Sequence, residues 1–405
     1  MNNIKIAIFD FISSRSKEFI TTTVAQCLYL LQNVIQNKIF TSYFDTATFG
    51  KWSLLMSVYT LVSMLPFSAI DQGIYRNAYE CRENGQEKQL CSIAGIVYFP
   101  FFILYSIVFF ALNKIQGVDF FASGYGVMFA LYAFTEILKN TYVLMDNAYR
   151  NRNRVLIIRV FGITSRTVLF LLCNYTVGLT LSAVLRILFW TNIFILIYQF
   201  RFIRQITFKL DFNVFILIFK KVITFSLPLM IWAIFGWMQN MILRWYLDAL
   251  LDLEAVALYS VLTTLSFFVP NAIYTTLNAY VMPVVISKNY KFTRKSLLKY
   301  LLAVLAVLMV YFVLVCFGGK YMVLLLADAK YLAILKYLPI TTLSSILYVI
   351  AMLSTIEIYR REKTKKLNTL IAKRYAKHPA IPAAKALYGP TTPPKSSVFL
   401  LYRPF

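Results

Sequence analysis

The stretch VITFSLPLMIWAIFGWMQNMILRWYLDALLDLEAVALYS, at Val222–Ser260, decides the fold. It contains an apolar run with Pro228 near its beginning, a short acidic turn and the start of a second apolar run. A helix needs about 20 mostly apolar residues to cross a bilayer. The stretch therefore predicts two membrane-spanning helices joined by a short turn.

A second version of this arrangement lies 207 positions earlier in the chain. The matched pairs are Asp45 with Asp252, Gly50 with Ala257, Trp52 with Tyr259, and Ser53 with Ser260. In both copies an apolar helix ends in a short turn, and a small residue, an aromatic residue and a serine begin the next helix. A repeat of this length in an apolar chain predicts two similar membrane lobes.

The composition supports a membrane protein over the whole body of the chain. Of its 405 residues, 60% are hydrophobic and 17% aromatic, and the mean hydropathy is +0.66. Soluble domains are typically about 45–50% apolar. The five cysteines form no CxxC pair and the one histidine, His378, lies in the C-terminal tail, so we expect no metal site, no cofactor and no histidine-based catalysis.

Hydropathy predicts an all-α polytopic protein with about ten transmembrane helices in a two-lobe bundle. Their approximate limits are Phe19–Phe40, Trp52–Ile70, Ser92–Leu112, Phe121–Met145, Val155–Cys173, Leu179–Phe200, Val222–Leu243, Ala255–Ile286, Leu297–Phe317 and Tyr331–Ile358. The eighth and tenth are long enough to tilt, or to kink at Pro270 and Pro339.

The predicted domains follow the charge pattern. Residues 1–200 form an N-terminal lobe of six helices, 201–213 a basic linker, 214–358 a C-terminal lobe of four helices, and 359–405 a basic, proline-rich tail. Lysine and arginine are concentrated in alternate loops, which predicts a cytoplasmic N-terminus and a cytoplasmic tail. We attribute the net charge of +24 to anionic lipid surfaces and not to nucleic acid.

Arg166 and Arg186 lie inside predicted spans, where an unpaired charge is costly. Arg166 in the fifth span and Arg186 in the sixth lie at similar predicted depths and could share one cavity. Arginine binds phosphate in a bidentate manner, so one interpretation is an anion site. The alternative is that each arginine extends to the membrane surface or pairs with a carboxylate of another helix.

Other polar residues within the spans also leave two interpretations open. Glu136 and Lys139 lie three positions apart on one helical face, and they either neutralise each other or line a cavity. Arg244, at the predicted outer end of the seventh span, is either a cation near an exit or a solvated helix end. The amides expected to line a polar interior are Gln26, Asn33, Gln239 and Asn240.

Three stretches resemble the polysaccharide-export flippases of the multidrug/oligosaccharidyl-lipid/polysaccharide exporter superfamily, in particular O-antigen-repeat-unit translocases of the Wzx type. They are FGKWSLLMSVYTLVSMLPFSAIDQGIYRNA at Phe49–Ala78, ITFSLPLMIWAIFGWMQNMILRWYL at Ile223–Leu247, and the helix with a basic exit at Tyr331–Lys366. The resemblance covers about residues 15–370.

The resemblance implies two lobes around a central cavity that opens alternately to each side of a bacterial inner membrane. Its expected substrate is an undecaprenyl-diphosphate-linked oligosaccharide, and its expected partners are membrane lipids and the polymerase and chain-length regulator of the same pathway. On this view Arg166, Arg186 and Arg244 contact the diphosphate or acidic sugars. Glu136 and Lys139 join the four amides as cavity lining, and no residue is catalytic.

The resemblance also implies about twelve spans, two more than the hydropathy predicts. After Lys366 the chain becomes basic and proline-rich, so we expect either a ten-span variant or a C-terminal lobe truncated by an altered reading frame. Two other functions remain open. A multidrug-type antiporter would favour acidic residues in its cavity, and a membrane polymerase or glycosyltransferase would need an outer-loop carboxylate such as Asp45.

Overall fold

A computed structural model describes residues 16–116, 125–149, 151–203, 211–286 and 294–354, and within these ranges all regular structure is helical. The helices are α1 (Ser16–Tyr43), α2 (Thr46–Val62), α3 (Ala69–Glu83), α4 (Glu87–Gln116), α5 (Tyr125–Ala148), α6 (Arg152–Thr176), α7 (Leu181–Ile203), α8 (Phe212–Leu250), α9 (Leu253–Ile286), α10 (Arg294–Leu326) and α11 (Leu338–Ser354). The predicted tail, 359–405, lies outside the described residues.

The predicted spans overlap these helices, and residues 121–124 of the fourth span and 355–358 of the tenth lie outside the described residues. Seven described segments are long and apolar enough to cross a membrane, and the bent pair Ala329–Lys336 and Leu338–Ser354 raises the number to eight. Helices α1 and α5 are not among them, and both carry polar residues along their length. The chain is a multi-pass membrane protein with an all-α, two-lobe fold.

Two helices depart from the predicted limits. The second span extends to Glu83 through a π-helical turn at Ser63–Ser68, which contains a cis peptide bond before Pro66 and separates α2 from α3. Helix α8 begins at Phe212, ten residues before the predicted start, because Asp211 caps it by accepting hydrogen bonds from the backbone N–H groups of Asn213 and Val214. The bend in the tenth span lies between Lys336 and Leu338, and α9 runs through Pro270 without a break.

The internal repeat is confirmed at its two turns. Asp45 accepts a hydrogen bond from the backbone of Thr48 and caps α2, and Asp252 accepts one from the backbone of Ala255 at the start of α9. An aspartate at this position satisfies one of the free N–H groups of a helix start. The pair α1–α2 is therefore built like the pair α8–α9.

The two lobes meet along matched helices, with α2 against α9 and α3 against α8. At Gly50 on α2 the backbones approach so closely that a Cβ atom would lie 2.1 Å from the carbonyl oxygen of Leu253. At Gly73 on α3 a Cβ atom would lie 2.9 Å from the carbonyl oxygen of Val222. Glycine is required at both points because any side chain would separate the lobes.

Hydrogen bonds also join the lobes at the end of the bundle that holds the α1–α2 turn. Asn37 and Lys38 on α1 donate to carbonyl groups at the end of α10, and Lys330 donates to the carbonyl group of Phe44. We call Asn37, Lys38 and Lys330 the interlobe latch. Next to it the rings of Phe49 and Tyr331 form an edge-to-face pair with centroids 5.9 Å apart.

Candidate functional site

A charged cluster lies inside the N-terminal lobe, where α5, α6 and α7 meet. Glu136 Oε1 lies 2.5 Å from Lys139 Nζ, and Glu136 Oε2 lies 2.9 Å from Arg166 Nη2. Arg166 Nη2 also donates to Asn192 Oδ1 at 2.7 Å. We call Glu136, Lys139, Arg166 and Asn192 the polar cluster.

The helical positions explain how the polar cluster forms. Glu136 and Lys139 are three residues apart on α5 and so face the same way, as predicted. Arg166 on α6 pairs with the carboxylate of Glu136 on α5, which is the interhelical pairing that the sequence left open. Asn192 on α7 accepts from both cations and donates to Thr135 Oγ1 at 3.4 Å.

The polar cluster holds more positive than negative charge. Lys139 is 4% exposed and Arg166 is 7% exposed, and one carboxylate serves both of them. Charges at such depth are strongly destabilising unless they are paired and hydrogen-bonded. The arrangement leaves a net charge of about +1 in the interior, which would attract an anion and repel a cation.

One donor of the polar cluster has no acceptor. The Nε atom of Arg166 is buried and has no hydrogen-bond partner among the described residues. A second guanidinium, that of Arg159 on α6, lies 4.4 Å from the ring centroid of Tyr29 on α1, and it is within electrostatic range of Glu136 and Arg166. This part of the lobe therefore offers several cationic donors and one carboxylate.

Arg244 supplies a separate cation in the C-terminal lobe. Its Nη1 atom contacts Met241 Sδ at 3.2 Å, its Nε atom is buried without a partner, and no carboxylate of the described residues lies within ion-pair distance. On the same helix, Asn240 donates to the carbonyl group of Gly236 at 2.7 Å, and Gln239 is exposed. Arg244 thus has no ion pair with a described carboxylate, whereas Asn240 is engaged within its own helix.

Arg186 is not brought together with Arg166. Arg186 is exposed on α7, and no described hydrogen bond or ion pair links it to the polar cluster. The residue of α7 that does reach Arg166 is Asn192, which no feature of the sequence pattern distinguishes. Arg186 lies six residues before Asn192 on α7, and this spacing places the two side chains on different faces of the helix.

The predicted lining residues of α1 lie outside the polar cluster. Gln26 is half-buried and Asn33 is exposed. Gln32, between them in the sequence, is the buried amide of this helix, and its Oε1 atom would lie 3.7 Å from a Cβ atom at Gly162 on α6. Within the described ranges no group of three or more metal-ligating side chains is assembled.

Solved structures with the same fold are transporters. The chain superimposes with a TM-score of 0.63 and 13% identity on an inward-facing multidrug resistance MATE family transporter of the MOP superfamily, covering 85% of this chain and 83% of that one. The fold is that of a MATE transporter. No known protein-family profile matches the sequence, and no curated protein matches it.

Two further solved structures of this fold match the chain to a similar degree. An outward-facing MATE transporter matches with a TM-score of 0.60 and 14% identity, over 86% of this chain and 83% of that one. A MOP superfamily transporter from Pyrococcus furiosus, described as having a binding pocket of reverse polarity, gives a TM-score of 0.60 and 14% identity over 86% and 83%. All are transporters and not enzymes, and at this identity they establish the fold alone.

Proposed function

We propose that the protein is a flippase that carries an undecaprenyl-diphosphate-linked oligosaccharide repeat unit across the bacterial cytoplasmic membrane for surface polysaccharide assembly. The observation that supports this proposal most strongly is the positive polar cluster. Its two cations share one carboxylate, and Arg166 keeps an unpaired Nε donor.

The chemistry of the substrate fits this charge. A diphosphate is anionic, and guanidinium groups bind phosphate oxygens through parallel hydrogen bonds. Arg166 in one lobe and Arg244 in the other provide such donors in a low-dielectric interior, where each interaction is stronger than in water. Arg186 is a third, more exposed donor on α7 in this proposal. Gln26, Asn33 and Gln239 offer amides to sugar hydroxyl groups.

The interlobe latch supports transport by alternating access. It joins the lobes at the end of the bundle that the basic loops predict to be outside the cell, with the N-terminus and the tail in the cytoplasm. The latch adds a few hydrogen bonds to the packed contact of α2 with α9, and a substrate that binds the separated lobes more tightly would shift the equilibrium towards the open form. The conformation described here is then the one closed on the outer side.

A multidrug antiporter is the second candidate, favoured by the fold, since solved structures of the same fold are multidrug transporters. The sign of the interior charge distinguishes the two candidates. A cavity for cationic drugs favours unpaired carboxylates. That of Glu136 is shared by Lys139 and Arg166, whereas that of Asp71 on α3 accepts a hydrogen bond from Tyr98 and forms no ion pair among the described residues. For a membrane polymerase or glycosyltransferase, the outer-loop acid Asp45 would have to be catalytic, but its side chain caps α2.

The test is transport by the purified chain in liposomes. One set of vesicles contains a fluorescent polyprenyl-diphosphate oligosaccharide, whose transfer between leaflets is read by chemical quenching from outside. A second set is loaded with ethidium as a cationic drug probe, under a proton or sodium gradient. Accelerated transfer of the lipid without ethidium transport supports the flippase, and ethidium transport without lipid transfer overturns it.

A further inference from the structure

A partly open cavity of about 190 Å³ lies in the N-terminal lobe, at the end of the bundle opposite the interlobe latch. Its walls come from the α3–α4 region (Arg82 and Glu87), the end of α5 (Asp146), the turn after it (Tyr149) and α7 (Gln199). Gln199 lies about two helical turns, or roughly 10 Å, from Asn192 along α7. The cavity is therefore separate from the polar cluster.

Gln199 is the most unusual residue of this cavity. Its side chain is 2% exposed, and neither its Oε1 nor its Nε2 atom has a hydrogen-bond partner among the described residues. The hydroxyl group of Tyr149, also in the wall, is buried and has no partner in the described part of the chain. Buried polar atoms are nearly always paired. Both residues belong to the wall of the cavity, and a ligand there that donates and accepts hydrogen bonds would satisfy the amide and the hydroxyl.

The charges of the wall balance each other. Arg154 Nη1 lies 2.9 Å from Asp146 Oδ1, and Arg82 Nε lies 3.4 Å from Glu87 Oε1. With each guanidinium beside a carboxylate, the wall gives neither a phosphate nor an ammonium ion a net electrostatic advantage. An uncharged polar molecule fits this balance of charges.

The volume of the cavity and the aromatic residues of its wall narrow the choice of ligand further. Pockets for drug-sized ligands measure about 300–1,000 Å³, so 190 Å³ accommodates a molecule of about one ring. Two tyrosines, Tyr142 and Tyr149, contribute to the wall. A pyranose ring has hydroxyl groups that donate and accept, together with an apolar face that packs on aromatic rings. Ordered water would fill the same volume, at about 30 Å³ per molecule.

We propose that this cavity binds one neutral sugar ring, with the Gln199 amide and the Tyr149 hydroxyl as its hydrogen-bonding groups. The site is distinct from the polar cluster, and its occupancy does not depend on whether the protein moves a lipid-linked oligosaccharide. The sugar comes either free in solution or as the headgroup of a lipid, since both present the same ring.

The test is ligand-dependent thermal unfolding of the full chain in nanodiscs. Methyl glucoside, methyl galactoside and methyl N-acetylglucosaminide are each titrated, with sorbitol as a control for non-specific stabilisation by polyols. We expect a saturable rise in Tm with at least one glycoside and none with sorbitol. A response that does not saturate, or that sorbitol reproduces, overturns the proposal and assigns the cavity to water.

Two variants test the assignment to Gln199. Gln199→Leu keeps the side-chain size and removes the unpaired amide, so without ligand it should unfold at a higher temperature than the wild type while its glycoside affinity falls at least tenfold. The matched control is Gln72→Leu, which removes an exposed amide on α3 outside this wall. Unchanged glycoside affinity in Gln199→Leu overturns the proposal. If that variant does not fold, Tyr149→Phe is measured instead, with an expected several-fold loss.

A second experiment distinguishes a sugar that is free in solution from one that is the headgroup of a lipid. Nanodiscs that contain monoglucosyl diacylglycerol are compared with nanodiscs that contain the same fraction of phosphatidylglycerol. A rise in Tm that only the glycolipid produces, and that Gln199→Leu abolishes, supports a lipid-borne sugar, whereas a rise with the free glycoside supports a soluble one. Equal Tm values in all nanodiscs, together with no response to free glycosides, overturn the proposal.

Discussion

Lys38 and Lys330 each cross to the opposite lobe and bind the carbonyl end of a helix there. Lys38 Nζ on α1 donates to the carbonyl oxygen of Leu324 at 2.7 Å and to that of Ala327, and Lys330 Nζ donates to the carbonyl oxygen of Phe44 at 2.5 Å. Carbonyl groups at a helix end carry partial negative charge and lack partners within the helix. Each lysine therefore completes the end of a helix only while the lobes are together.

Removal of both lysines should open this end of the bundle. A hydrogen bond to a charged group contributes about 1.5–3 kcal/mol, so Lys38→Met with Lys330→Met should shift the closed-to-open ratio at least roughly tenfold. Spin labels at positions 43 and 337, on exposed tyrosines of α1 and of the turn before α11, report the separation in a cysteine-free background. Lys320→Met, at an exposed lysine of α10, is the control. A distance distribution that stays the same in the double variant would contradict a latch.

Two variants of the polar cluster should separate the contribution of the Arg166 guanidinium to lipid transfer from the contribution of net charge. Arg166→Gln and Lys139→Gln both reduce its net charge to zero and leave Glu136 paired with the other cation. If Arg166 contacts the diphosphate, Arg166→Gln should lower lipid transfer in liposomes at least tenfold, and Lys139→Gln should lower it much less.

Glu136→Gln provides the structural comparison for these two variants. It leaves two buried cations without a carboxylate, which should destabilise the protein by about 3–5 kcal/mol. Thermal unfolding of all three variants separates loss of transport from loss of the fold. Equal transport losses in Arg166→Gln and Lys139→Gln would mean that net charge matters and the Arg166 guanidinium does not.

The sequence predicted those features of the fold that are encoded locally. Apolar length placed the helices, and the aspartates before α2 and α9 identified the repeated turns that the structure confirms. The break at Ser63–Ser68 was missed because neighbouring helices contribute to it, including Tyr105 on α4, which donates to the carbonyl group of Leu65. Hydropathy also placed the start of α8 too late, because Lys220 and Lys221 interrupt an apolar run that begins at Phe212.

The candidate site was predictable only in part, for a similar reason. The spacing of Glu136 and Lys139 fixes their contact within one helix. The contact of Arg166 with Asn192 depends on how α6 and α7 are rotated about their axes, which hydropathy does not specify. Gln199 gave no signal at all, because a single amide in an apolar helix looks the same whether it lies in a cavity wall or at a surface.

Gly50 should be intolerant of even one added methyl group. In Gly50→Ala the Cβ atom would lie 2.1 Å from the carbonyl oxygen of Leu253, so α2 and α9 must separate. Overpacking of this kind typically costs about 1–3 kcal/mol. Gly236→Ala on α8 is the matched control, since no atom lies within 4 Å of its added Cβ and alanine favours a helix. Thermal unfolding should show a lower Tm for Gly50→Ala alone, and equal Tm values for both variants would contradict the close contact of the lobes.

The change Asp45→Ala should lower the stability of the protein and leave its activity intact, and the loss of stability should depend on pH. The hydrogen bond from Thr48 holds the pKa of Asp45 below its ordinary value. A group whose pKa is lower in the folded state stabilises the protein above its unfolded pKa, near 4, and this contribution is lost as the pH falls through the folded pKa. Asp45→Ala should therefore cost about 1 kcal/mol between pH 5 and 8, and less below about pH 4.

Two comparisons complete this prediction for Asp45. Asp45→Asn retains a capping side chain and should keep most of the stability at neutral pH. Asp252→Ala, at the matching turn of the second lobe, should cost a similar amount because Asp252 Oδ1 accepts from the backbone of Ala255 at 2.7 Å. Denaturation in detergent measures all three variants, and surface polysaccharide measures function in cells. Loss of polysaccharide in Asp45→Ala with unchanged stability would contradict the structural role and favour a catalytic carboxylate instead.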